Sequence, residues 1–231
     1  MQYNTNMPKY IVRERVNEDL LKHLLAARGI TDADAAERFL NPDYEKHAHD
    51  SFAMKDMERA VERILKAVQG NERIAIWSDY DADGIPGAVV LHDFFKKIGY
   101  RNFENYIPNR HEEGFGLNSE AVAALAARAA KLLVTIDCGI TDTEEVARAN
   151  ELGMEVIITD HHLPKAGELP PAYAILNPKQ DGCAYPEKML CGSGVVFKLI
   201  QALVSRLKNS PPLNLPTSKL NDGWEKWLLD M

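Results

Sequence analysis

Long apolar runs are absent from this chain of 231 residues. None approaches the roughly 20 residues that a membrane-spanning helix needs, and the polar start, Met1 to Lys9, lacks the apolar core of a signal peptide. Cysteine is scarce, since the three residues are odd in number and lack the spacing of a zinc site. These absences predict no membrane partner, no disulfide framework and a reducing, cytoplasmic compartment.

A basic excess is also missing, because 27 Lys and Arg stand against 34 Asp and Glu, for a formal net charge of −7. Non-specific nucleic-acid binders usually carry a basic field, so this balance counts mildly against a DNA or RNA substrate. It does not exclude one, since bound metal ions would offset acidic groups at a site. The absence of a Walker A motif argues against P-loop hydrolysis of nucleoside triphosphates.

Short apolar strands alternate with helical patterns from Ile74 onward. This alternation is typical of the α/β class, with a mostly parallel sheet flanked by helices on both faces. The predicted strands are 74–78, 103–107, 132–136, 156–159 and 173–176, and the predicted helices between and after them are 86–98, 119–130, 142–152 and 195–207.

Three regions are predicted along the chain. A helical region at 1–70 packs on the core, an α/β domain at 71–209 carries the chemistry, and 210–231 is a linker with the start of a truncated continuation. The last region has a proline-rich stretch at 211–216 and a short helical pattern at 222–230. Because this pattern stops without a cap, the chain is expected to be a fragment of a longer protein.

Acidic clusters follow three of the predicted strands. Asp79, Asp81 and Asp83 follow the first strand, Asp137 follows the third, and an Asp-His-His sequence at 160–162 follows the fourth. Ligands of open α/β sheets bind beyond the carboxyl ends of the strands, so these clusters are expected to meet at one edge. Alone, each is as readily a solvated loop or a helix cap. Together they predict a site for Mn²⁺ or Mg²⁺, which prefer oxygen ligands.

The number of candidate ligands exceeds what one ion with open positions needs. Two ions about 3.5–4 Å apart, with Asp137 as a bridge, are the economical interpretation, and such a pair suits hydrolysis of a phosphate ester. His162 is expected to support a ligand or to contact phosphoryl oxygens. The predicted metal ligands are Asp79, Asp81, Asp83, Asp137 and His161, and the predicted catalytic residues are Asp137, His161 and His162.

Two further stretches are candidate substrate contacts. Arg110 lies in a glycine-containing loop after the second strand, where it could clamp a phosphate or be an ordinary surface residue. Gly192, Ser193 and Gly194 open a predicted helix, where backbone N–H groups could bind an anion or merely form a turn. Cys138 follows Asp137, and a small buried residue is favoured over a nucleophile.

These motifs occur in a defined order along the chain: Asp79-Tyr80-Asp81-Ala82-Asp83-Gly84, Pro108-Asn109-Arg110, Glu113-Gly114-Phe115-Gly116-Leu117, Asp137-Cys138-Gly139 and Asp160-His161-His162. The set resembles the DHH phosphoesterase superfamily from about Ile74 to Leu199. The arginine loop, Asn177-Pro178 and the glycines at 192–194 resemble in particular the RecJ-like single-strand-specific exonucleases.

The resemblance implies an activity that the spacing alone does not. RecJ-like enzymes act in DNA repair and recombination, where they degrade single-stranded DNA from a 5′ end with Mn²⁺ or Mg²⁺. The implied partners are therefore single-stranded DNA and repair or replication proteins. Two alternatives stay open: a phosphodiesterase of short oligonucleotides or cyclic dinucleotides, and a non-catalytic scaffold of the same fold.

The resemblance also assigns residues. Arg110, His162, Ser193 and the backbone of 192–194 become phosphate contacts, and the three aspartates at 79–83 share metal binding. Family members carry a further metal-binding aspartate, a DHH-associated domain and often an oligonucleotide-binding barrel after the segment seen here. Pro86 stands where the family pattern leads us to expect a small hydroxyl residue. Activity of this chain by itself is therefore left open.

Overall fold

The computed structural model describes residues 14–165, 167–209 and 220–230. It confirms the predicted α/β class and the place of each predicted strand. The strands are β1 (Arg73–Ser78), β2 (Phe103–Tyr106), β3 (Ala130–Ile136), β4 (Glu155–Thr159) and β5 (Ala174–Leu176). All neighbours are parallel, in the order β2-β1-β3-β4-β5. The carboxyl ends of β1, β3 and β4 therefore lie side by side at one edge, which we call the carboxyl edge.

The helices follow the predicted alternation, but the predicted end of the helix 119–130 is wrong, since that helix ends at Ala127 and β3 begins at Ala130. The helices predicted at 86–98 and 195–207 begin two and three residues earlier, and the one predicted at 142–152 is one residue shorter at each end. The helices are α1 (Leu20–Ala26), α2 (Ala33–Leu40), α3 (Tyr44–His47), α4 (Met57–Gln69), α5 (Gly84–Lys97), α6 (Ser119–Ala127), α7 (Thr143–Glu151) and α8 (Gly192–Asn209). The helical pattern at 222–230 forms a 3-10 helix, Trp224–Asp230, and the proline-rich stretch at 211–216 lies outside the described residues.

The two faces of the sheet bury alternate residues of each strand. Trp77, Leu133 and Ile158 pack in one cluster with Val122 of α6 and Val146 of α7. Helices α5 and α8 pack against each other and against the opposite face, and α4 joins them there. Because successive side chains of a strand point to opposite faces of the sheet, a strand that is apolar throughout can be buried on both faces. This packing fixes where each strand ends, and so where the carboxyl edge lies.

The chain divides into two compact units, Met1–Ala48 and His49–Met231. Within the first unit, aspartate side chains accept hydrogen bonds from the first turns of α1, α2 and α3. The sheet and the carboxyl edge belong to the second unit. The domain boundaries at 70 and 209 stay predictions. Across the part of the chain that the structure describes, no helix has the length and apolar content to cross a membrane.

Candidate metal centre at the carboxyl edge

The turn from β1 into α5 brings three aspartates to the carboxyl edge. Asp79 is buried, and its Oδ1 accepts a hydrogen bond from the Tyr80 N–H at 2.7 Å. Asp81 Oδ1 accepts from the N–H groups of Asp83 and Gly84, at 2.8 and 2.9 Å, and so caps the start of α5. A Cβ at Gly84 would lie 2.5 Å from the Asp79 carbonyl oxygen. Only glycine therefore fits this turn.

Asp83 joins the first cluster to the start of α8. Its Oδ2 accepts from the Gly192 N–H and its Oδ1 from the Ser193 N–H, both at 2.7 Å. Burial alone would raise the pKa of Asp83, but these hydrogen bonds outweigh burial and lower it. Gly194 is the third residue of α8. The N–H groups predicted to contact substrate thus hold a carboxylate of the cluster here, and a contact with substrate stays a prediction.

Asp137 follows β3 in a left-handed backbone conformation, with φ of 60°. Its N–H donates to the Thr159 carbonyl at 2.8 Å, which directs the side chain into the edge. The side chain is 1% exposed, and its buried Oδ1 accepts no hydrogen bond from the described residues. Burial, and then the charges of Asp83 and Asp81, raise the pKa of Asp137 to about 8. A carboxylate this disfavoured is relieved by a nearby cation.

The turn after β4 is organised by Asp160, which was not among the predicted site residues. Its Oδ1 accepts from the His161 and His162 N–H groups, at 2.7 and 3.0 Å, and lies 2.7 Å from His162 Nδ1. Its Oδ2 accepts from the Ile140 N–H at 3.0 Å. The hydrogen bond that His162 Nδ1 donates to Asp160 raises the pKa of His162. Because Nδ1 is engaged, Nε2 is the ring nitrogen left for the cluster.

The predicted ligands come together around Asp137. Oxygens of Asp79, Asp81 and Asp137 lie within 4.8 Å of one another, and so do donor atoms of Asp137, His161 and His162. His161 Nε2 is 3.2 Å from Asp137 Oδ1, without the geometry of a hydrogen bond, and 3.6 Å from Asp83 Oδ2. Asp137 belongs to both groups, as expected of a bridge. The oxygen and imidazole donors and the unsatisfied Asp137 Oδ1 fit a pair of divalent cations.

The arginine loop reaches the rim of the same cluster. The Arg110 guanidinium carbon lies 4.7 Å from the centre of the Tyr80 ring, and no carboxylate of the described residues pairs with it. Burial raises the pKa of Asp79, and the charge of Arg110 opposes that rise. Glu113 braces the loop by accepting from the Asn109 N–H at 2.7 Å. Arg110 is therefore held beside the aspartates with its donors available.

Cys138 lies behind the cluster as a buried thiol. It is 1% exposed, and burial raises its pKa well above the usual value. A thiol of this kind stays protonated at neutral pH and is a poor nucleophile. The preference for a small buried residue at this position is confirmed.

Comparison with known proteins places the sheet and its edge in one family. Residues 73–221 match the DHH family, N-terminal domain. The single-stranded-DNA-specific exonuclease RecJ of Bacillus subtilis (strain 168) is 44% identical over 189 residues, which is 81% of this chain and 24% of that protein. The protein of the same name from Escherichia coli (strain K12) is 38% identical over 190 residues, 82% of this chain and 32% of that protein.

A solved structure agrees with the sequence comparison. RecJ in complex with Mn²⁺ from Thermus thermophilus superposes with a TM-score of 0.63 at 30% identity, covering 84% of this chain and 26% of that one. The chain thus spans about a quarter to a third of the length of the curated relatives it matches.

Proposed function

This chain belongs to the DHH family, and on that premise we propose that it is the catalytic-core part of a metal-dependent 5′→3′ exonuclease for single-stranded DNA. The observation that carries the proposal is the pair of ligand groups that share Asp137 at the carboxyl edge. The substrate class is supported by relatives named single-stranded-DNA-specific exonuclease, and the choice of Mn²⁺ or Mg²⁺ by a relative in complex with Mn²⁺.

The residues that would hold the ions follow from the two groups. Asp79, Asp81 and Asp137 would hold one, and Asp137 with His161 the other, while Asp83 is anchored on α8 beside them. Bound divalent ions lower the pKa of a water molecule and offset the charge of a phosphate. The hydrogen bonds already made by the aspartates fix their orientation before any ion or substrate binds.

The remaining groups act directly on the substrate. His162, held at Nδ1 by Asp160, presents Nε2 to a phosphoryl oxygen and can donate a proton there. Arg110 offers a planar fork of N–H donors suited to a phosphate, and the Tyr80 ring supports its plane. Together they would orient the phosphodiester against the aspartates, so that attack and departure occur in line.

The proposal is tested by following a 5′-phosphorylated oligonucleotide in Mn²⁺ with the full-length protein. Mononucleotides released from the 5′ end of single strands, and not from the matching duplex, are expected. Equal rates on dinucleotides and long single strands would instead favour the smaller-substrate activity. No release from any of these substrates would contradict the proposal. The cytoplasmic location and the repair or replication partners stay predictions.

Adding Mn²⁺ is expected to stabilise the folded chain. A ligand that binds only the folded state at 100 times its Kd contributes about 2.7 kcal/mol, which is several degrees in Tm for a domain of this size. Thermal unfolding with and without Mn²⁺ measures the shift. The shift is expected to vanish in Asp137→Asn and to persist in Asp93→Asn, on α5. An equal shift in both variants would place the binding elsewhere.

Asp160→Asn is expected to lower kcat by about 10- to 100-fold, as for other residues that orient a ligand. An asparagine side chain has a single oxygen, so it can accept a hydrogen bond from His162 or from the Ile140 N–H but not from both. Its NH₂ group would face the other donor, with which it cannot form a hydrogen bond. Single-turnover rates on single-stranded DNA measure the loss. Asp160→Asn with wild-type kcat would show that this aspartate does not position His162.

A further inference from the structure

A pocket of about 450 Å³ opens between the loops that follow β4 and β5. Leu163, Pro164 and Leu169 supply its apolar wall, and Leu163 is 76% exposed although it directly follows His162. The volume lies in the range of pockets that take small organic ligands, roughly 300–1,000 Å³. The pocket therefore adjoins the catalytic edge on its β5 side and has room for part of a substrate.

Asn177 ties this pocket to the catalytic edge. Its side chain is fully buried, its Nδ2 donates to the His162 carbonyl at 2.9 Å, and its Oδ1 accepts from the Lys179 N–H at 2.8 Å. Both polar ends of the amide are thus used to join the two loops. A group bound in the pocket would be held in a defined position relative to His162.

Lys179 gives the pocket an unsatisfied positive charge. It is half-buried, and among the described residues its Nζ has no hydrogen bond or ion pair, although Glu168 and Asp181 also line the pocket. The Lys179 N–H donates to Asn177 Oδ1, and the same amide donates to the His162 carbonyl, so Lys179 is joined through one side chain to the loop of the catalytic edge. An ammonium without a partner among the described residues can form a charge-assisted hydrogen bond with a phosphate that enters the pocket.

We propose that this pocket binds the nucleotide that adjoins the cleaved phosphodiester in the single strand. The base lies against Leu163 and Leu169, and its phosphate binds Lys179. Proteins that hold single strands without sequence preference combine a positively charged groove for the backbone with aromatic side chains on which the bases stack. Here the aliphatic wall of Leu163, Pro164 and Leu169 would take the place of those rings. The inference rests on the proposed exonuclease function.

Lys179→Gln in the full-length protein with Mn²⁺ tests the phosphate contact. KM for single-stranded DNA is expected to rise about 10-fold with kcat nearly unchanged, since a hydrogen bond to a charged group is lost. The slope of log KM against log salt should fall by about 0.7, the value for one phosphate of a single strand. Lys131→Gln, at the exposed amino end of β3, makes the same charge change far from the pocket and is expected to change neither quantity.

A neutral linkage in the substrate locates the contact. A methylphosphonate next to the cleaved bond should raise KM for the wild type about 10-fold and have no added effect in Lys179→Gln. The reason is that removing either partner of a contact already removes the contact, so the two effects on KM do not add. For the base contact, Leu163→Ser should raise KM for normal DNA but not for DNA with an abasic residue there.

The outcomes separate the pocket from the proposed function. The pocket assignment is overturned if Lys179→Gln matches Lys131→Gln in KM and salt slope, or if methylphosphonate and variant effects add, while Asp137→Asn still loses hydrolysis. In that case the exonuclease function stands without this subsite. If the wild type itself releases no nucleotide, the proposed function fails, and the assignment of a nucleotide to this pocket fails with it.

Discussion

Asp137→Asn is expected to lower kcat on single-stranded DNA by about 10³-fold or more, the largest loss of any single substitution in the chain. Asp137 is the residue common to both ligand groups, and its Oδ1 has no competing hydrogen bond in the described structure. The amide keeps the shape of the side chain but carries no charge to bind a cation. Rates of nucleotide release in saturating Mn²⁺, compared with those of Asp93→Asn, measure the effect.

Unfolding of the metal-free chain shows whether this loss is a folding defect. The folded-state pKa of Asp137 is about 8 and its ordinary value is 3.8. The unfolded state therefore ionises first, so the wild type loses stability as pH rises from about 4 to about 8. Asparagine has no proton to lose, and the variant is expected to escape this part of the loss. An inactive variant that is less stable than wild type at pH 8 would contradict the account.

Gly192→Ala is expected to lower both Mn²⁺ affinity and kcat, the latter by about 10²-fold, as for an active site displaced by 1 Å. A Cβ at Gly192 would lie 2.4 Å from Asp137 Oδ1 and 2.7 Å from its Cβ and Cγ. Asp137 is buried on all sides, so either it or the start of α8 must move. Movement of α8 would also disturb the hydrogen bonds that Asp83 accepts.

Gly70→Ala is the matched control for this substitution. Gly70 ends α4 with φ of −78°, which any residue adopts, and a Cβ there meets the Lys66 carbonyl oxygen no closer than 3.3 Å. Its Mn²⁺ affinity and kcat are expected to equal those of the wild type. Titration calorimetry with Mn²⁺ and steady-state rates compare the two variants. If Gly192→Ala has the Mn²⁺ affinity and kcat of the wild type, the close packing of α8 on Asp137 is not needed for metal binding or catalysis.

The sheet and the meeting of the acidic clusters could be predicted from local patterns. Each strand is a short apolar run that is followed by a polar turn, and parallel strands place those turns at one edge. That rule predicts that Asp79, Asp137 and His161 lie close together. In the described structure a carboxylate oxygen of Asp79 lies within 4.8 Å of one of Asp137, and His161 Nε2 lies 3.2 Å from Asp137 Oδ1. The ends of the strands can be located in the sequence because the spacing of apolar residues changes there from the strand pattern to the helix pattern.

The supporting contacts could not be predicted, because each depends on how turns and helices are placed in three dimensions. Asp83 accepts hydrogen bonds from Gly192 and Ser193, more than 100 residues away, and no local pattern specifies that pairing. Asp160 was visible as the first residue of an Asp-His-His sequence, but its role depends on which way the turn after β4 folds. Asn177 was noted only as part of a motif, and its two bridging hydrogen bonds appear only in three dimensions.

The most direct test of the metal centre is an anomalous difference map from crystals of the chain grown with Mn²⁺. Two peaks are expected at the carboxyl edge, one among Asp79, Asp81 and Asp137 and one beside Asp137 and His161. Both should be missing in Asp137→Asn crystals grown in the same way. Mn²⁺ peaks only at other surfaces, or peaks at the edge that survive in Asp137→Asn, would contradict a two-metal site organised by Asp137.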